Sequence, residues 1–232
     1  MKHILLPALL ASLMLQVAPA SATAPAQVVN VYDQYSVSYD DTSIFGGISF
    51  SFGGGSQVGF GWNIPTSVSV VSMGDLVTTS FYLPSFTVTA NEGYTLSGDI
   101  GGFIGNLVYT QVGTGATTSV NVNGLLTFNG FPTVPVSGEL GATSIFTSGT
   151  YETGYYSATA SQPFGNFTSF SFSGGTITLK ATGAGGFASI TAQPQNEFNV
   201  SFTATPVPEP ETYALMLAGL GLVGFMARRR KV

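Results

Sequence analysis

The sequence predicts an all-β protein: one antiparallel β-sandwich, jelly-roll-like, between an N-terminal signal peptide and a short C-terminal transmembrane helix. Three observations carry this reading. Apolar and polar residues alternate with a period of two along most of the chain. Glycine, 30 of the 232 residues, cuts the alternating runs into short pieces. Charged residues make up only 7% of the chain, where soluble domains carry about 25%. Five of the six basic residues lie in the two terminal segments (Lys2, Arg228, Arg229, Arg230, Lys231).

Residues 1–22 have the order of a secretory signal. Lys2 and His3 form a positive start, and Ile4 to Val17 is apolar apart from Ser12, Gln16 and the break at Pro7. Ala20-Ser21-Ala22 is a small-x-small cleavage site, with Ala24-Pro25-Ala26 as a second candidate. The apolar run falls short of the ~20 residues a comfortable span needs, so removal rather than anchoring is expected. Sec translocon and signal peptidase are the implied partners.

The body, residues 23–205, carries the strands. Tyr35-Ser-Val37-Ser-Tyr39, Ile48-Ser-Phe50-Ser-Phe52, Val68-Ser-Val70, Phe86-Thr-Val88, Val120-Asn-Val122, Phe170-Ser-Phe172, Ile177-Thr-Leu179 and Phe198-Asn-Val200-Ser-Phe202 all alternate. About a dozen short strands in two face-to-face sheets follow from this spacing. Gly53-Gly54-Gly55, Gly101-Gly102 and Gly185-Gly186 read as loops, and Ser173-Gly174-Gly175-Thr176 as a two-residue hairpin. Pro132 and Pro135 suggest a longer connection. A β-solenoid would need a fixed repeat, and none is present.

Composition excludes several activities. The body sets nine acids against Lys180 alone, so it cannot neutralise a phosphate backbone, and no nucleic-acid partner is expected. It holds neither His nor Cys, which removes the Ser-His-Asp triad, the Cys nucleophile and the ordinary zinc site. No phosphate-binding glycine motif precedes a Lys-Ser/Thr pair. A non-enzymatic body without cofactor is therefore expected. A glycosidase needs only two carboxylates, and Asp75, Glu92, Asp99, Glu139 and Glu152 supply acids, but no spacing singles out a pair. Asp40 and Asp41 share one loop and are the weak calcium candidates, against ordinary turn chemistry. Trp62, after Gly59-Phe60-Gly61, is the candidate sugar platform, with Tyr109 and Tyr155-Tyr156 behind it. Isolated Thr pairs such as Thr87 with Thr89 do not make an ice-binding array.

The C-terminal segment, residues 206–232, has three parts. Pro206, Pro208 and Pro210 alternate with Val207 and Glu209 and hold the chain extended. Tyr213 to Ala227 follows without a charge, and as a helix would span roughly 22 Å at ~1.5 Å per residue. Arg228, Arg229, Arg230 and Lys231 then act as a stop signal that stays on the cytoplasmic side. Val207-Pro208-Glu209-Pro210, the apolar helix and the terminal Arg cluster together resemble the PEP-CTERM sorting signal of Gram-negative bacteria. Some classifications carry the same region as an ice-binding-protein C-terminal domain. The resemblance covers about a tenth of the chain. It implies exosortase as partner, with Pro208, Glu209 and Pro210 as the recognition motif, and an association with exopolysaccharide and biofilm. The expectation is an exported protein that faces the periplasm, is held transiently at the inner membrane, and ends at the cell surface or in the extracellular matrix. Its body would be structural or adhesive. A carbohydrate-binding module for exopolysaccharide is the alternative, and a carboxylate-pair glycosidase a more distant one.

Overall fold

The computed structural model describes residues 27–129, 131–208 and 210–229. The expected signal peptide with Ala20 and Ala22 lies outside the described residues, as do Glu209, Arg230 and Lys231. In chain order the strands are β1 (Gln27–Val31), β2 (Tyr35–Asp40), β3 (Phe50–Gly54), β4 (Gln57–Asn63), β5 (Ser69–Ser72), β6 (Val77–Tyr82), β7 (Phe86–Ala90), β8 (Tyr94–Val112), β9 (Gly115–Phe128), β10 (Val134–Glu139), β11 (Gly141–Ser148), β12 (Tyr151–Phe167), β13 (Ser169–Ala184), β14 (Phe187–Thr191) and β15 (Glu197–Pro206). One helix, α1 (Pro210–Arg229), follows.

All pairings among the described residues are antiparallel. One sheet runs β1-β2-β7-β13-β9-β10, with β6 also on β13. The other runs β11-β12-β8-β15-β4-β3, with β14 joining β8 to β5. The predicted all-β, two-sheet architecture is thus what the chain adopts. The chain crosses between sheets at tight corners: Gly113-Thr114 after β8, Thr168 alone after β12, Gly185-Gly186 after β13. Gly113 has φ +106°, and a Cβ there would sit 2.7 Å from the Gly185 carbonyl oxygen, so this corner requires glycine.

Strand length departs from the expectation of short strands. β8 has 19 residues, β12 has 17 and β13 has 16. Gly101-Gly102 lies inside β8 rather than in a loop. The Gly174-Gly175 pair does not turn a hairpin either. Phe170-Ser-Phe172 and Ile177-Thr-Leu179 are two halves of β13, and the register with β9 jumps from Ser173↔Leu125 to Thr176↔Asn123. The glycines form a bulge, Gly174 with φ +61°. The bulge coincides with a change of neighbour: β13 pairs with β7 before it and with β6 after it, while β9 runs past both halves. A continuous partner is what makes a bulge rather than a reversal.

The core fills the space between the sheets. Tyr35, Val37 and Tyr39 of β2 alternate inward against Phe198, Val200 and Phe202 of β15. Aromatic contacts bridge the sheets: Tyr35 meets Phe202 edge-on at 4.9 Å, Phe60 meets Phe86 at 5.3 Å, and Phe170 meets Phe202 at 5.5 Å. Ser and Thr occupy many outward positions and pair across strands, as Ser80 with Thr178 at 2.9 Å.

Candidate functional site

The C-terminal segment leaves the sandwich without a linker. Pro206 closes β15 opposite Tyr94, and the Val207 N–H donates to the Gly93 carbonyl at 2.8 Å. Because β15 is an inner strand, the first residues of the segment are held by the body. Pro206, Val207 and Pro208 are nevertheless exposed. α1 then begins at Pro210. Glu211 in the first turn and Arg228 in the last turn both complement the helix dipole.

Apolar residues of α1 are exposed around the helix. Leu215, Leu217, Leu220, Leu222, Val223 and Phe225 are all exposed, Leu215 at 74%. A helix that is apolar all round suits an apolar surrounding rather than water. The expected transmembrane helix is corrected in one respect: among the described residues no helix is long and apolar enough to cross a membrane. The uncharged stretch is short, and Gly219, Gly221 and Gly224 dilute it.

The body candidates fare differently. Trp62 is 0% exposed, so the expectation of a sugar platform is corrected. It lies on β4 with Val58 and Phe60, stacked on Phe198 at 5.6 Å and facing Phe86 across the sandwich. Phe50 and Phe52 of β3 pair with Gly61 and Gly59 and cover the opposite face of β4. Tyr109 and Tyr156 are buried as well. The Tyr109 hydroxyl donates to Glu152 Oε1 at 2.7 Å, and burial together with that carboxylate pushes it up to about 12. The Tyr156 hydroxyl donates to the Thr118 carbonyl at 2.6 Å and is also raised, by burial. Asp40 ends β2 as a turn residue: its Oδ1 accepts the Thr42 N–H at 2.9 Å, and hydrogen bonds from Thr42 hold its carboxyl below the usual range. Among the described residues no three His, Cys, Asp or Glu side chains gather around a metal-sized site.

Sequence reasoning missed a cleft of about 420 Å³ between the sheets. Phe86 and Phe172 line it from one sheet, Ile100, Ile104, Phe198 and Val200 from the other. Among its lining residues the one carboxylate is Glu139, so the acid pair a glycosidase requires is not assembled there. The signal lay in small residues at period-two positions, Gly102 in β8 and Ala160 in β12, which pair with each other.

Two comparisons complete the picture. Residues 206–231 match the family model described as the PEP-CTERM protein-sorting motif. No curated protein matches the chain.

Proposed function

We propose that this chain is a non-enzymatic surface or matrix protein whose β-sandwich is the cargo and whose C-terminal segment is the address. The coarser part stands on the sorting motif itself, which marks an exported protein handled by an exosortase. One observation carries the finer part: Pro206 and Val207, at the head of the matched segment, are hydrogen-bonded into the sandwich through β15, so an enzyme that reads the motif meets a folded body at once. Proline-set backbone lowers the ordering cost of presenting that peptide to a cleft.

A structural or adhesive role for the body agrees with its edges. β11 ends one sheet, carries no charge, and exposes Ile145 at 66% with Phe146 beside it. β1 ends the other sheet with exposed Val29 and Val31. Edges without charge or proline pair readily with other strands, which suits a protein that assembles in an exopolysaccharide matrix. The body offers neither His nor Cys for catalysis.

The test is made in the producing cells. Pro208→Ala together with Pro210→Ala leaves full-length protein in the inner-membrane fraction and depletes it outside. Release of the double variant at the normal rate overturns exosortase handling. Cleavage of any polysaccharide in a library by the purified protein overturns the non-enzymatic reading.

A further inference from the structure

We propose that the intersheet cleft binds one uncharged, predominantly apolar small molecule, its neutral polar end held at the mouth. Volume sets the size. An apolar cavity of roughly 150 Å³ holds benzene, and ligand pockets begin near ~300 Å³. At about 420 Å³ this cleft takes a molecule of two to three rings, or an alkyl chain of similar bulk. The space is built into the sequence rather than left by loose packing. On β8 Gly102 stands between Ile100 and Ile104, and a Cβ there would come no nearer than 4.0 Å to any other group. Its neighbour on β12 is Ala160, and across the cleft Gly138 of β10 also leaves open space. Larger side chains at these positions would fill the space between the two sheets.

The mouth sets the chemistry. Among the described strands β10 pairs only with β9, and β11 covers β12 no further than Ser157. Strand edges 134–139 and 158–162 therefore face each other without a strand between them, and their free backbone N–H and C=O groups can hydrogen-bond a hydroxyl or an amide. Ser137, Ser161 and Gln162 stand beside them. Among the described lining residues Glu139 is the only charged group, and no Lys or Arg is present. An anionic ligand would meet repulsion with no compensating cation, so a carboxylate or sulfonate end is disfavoured.

Trp62 provides the readout. It is the one tryptophan of the chain and packs on Phe86 and Phe198, both of which line the cleft. Neutral N-phenyl-1-naphthylamine titrated into the full chain is expected to quench Trp62 emission by energy transfer, saturating at one probe per chain. Gly102→Leu and, separately, Ala160→Leu fill the cleft and weaken that titration about tenfold or more, without lowering the melting temperature. The anionic probe 8-anilinonaphthalene-1-sulfonate binds about tenfold or more weaker than the neutral one, and Glu139→Gln, a change at an exposed residue, narrows the gap. Neutral-probe binding unchanged in both filling variants overturns the proposal. So does equal affinity for the two probes in the unmodified chain. None of these outcomes depends on sorting, which the proline variants test alone.

Discussion

Replacing Trp62 by alanine asks whether the single indole holds the sandwich together or faces outward. The ring is fully buried, with Phe60 at 5.5 Å, Phe86 and Phe198 at 5.6 Å and Tyr39 at 6.0 Å. Phe60 and Phe198 belong to its own sheet, Phe86 and Tyr39 to the opposite one, so truncation opens a void that no single strand can close. Large-to-small changes of this kind cost ~3–5 kcal/mol. Phenylalanine behaves differently. The Trp62 Nε1–H is buried without a hydrogen-bond partner. An orphaned donor costs about 1–3 kcal/mol, and removing it offsets much of the lost ring volume, so Trp62→Phe should stay within ~1.5 kcal/mol of the parent. Guanidinium unfolding followed by far-UV circular dichroism measures both, since the fluorophore itself is gone. The expected result is a large fall in midpoint for alanine and a small change for phenylalanine, at constant m. A cost below about 1 kcal/mol for Trp62→Ala would refute the packing argument and return the indole to the surface.

Two other outcomes are expected. Gly113→Ala places a Cβ at φ +106° and 2.7 Å from the Gly185 oxygen, so it should lower stability by about 1–3 kcal/mol; an unchanged thermal midpoint would mean the corner relaxes freely. Tyr35, Tyr109 and Tyr156 are all raised, first by burial, so their neutral forms favour the folded chain. That stability is complete below the ordinary tyrosine value of 10.0 and is lost as pH rises through the folded values, about 12 for Tyr109. Chemical unfolding midpoints should therefore hold from pH 8 to about 10 and fall above it, less steeply in Tyr109→Phe; a flat profile to pH 11.5 would contradict the burial of these phenols.

Much of this protein was legible in order of residues alone. The β class follows from period-two alternation, a property each strand displays by itself. The address at the C-terminus follows from three adjacent segments whose chemistry is local: prolines, an uncharged stretch, an arginine cluster. The structure decided what depends on distant neighbours. Gly174-Gly175 has the same local preferences in a hairpin and in a bulge, and only the passage of β9 along both halves of β13 selects the bulge. Val58, Phe60 and Trp62 share one face by their spacing, but which face points inward was set by Phe50 and Phe52 covering Gly59 and Gly61 from the other side. The cleft is less local still. Gly102, Gly138 and Ala160 are unremarkable singly, and become a space only because two sheets bring their strands face to face. A side chain's type and period travel with the chain, whereas the side it buries and the room around it belong to its partners.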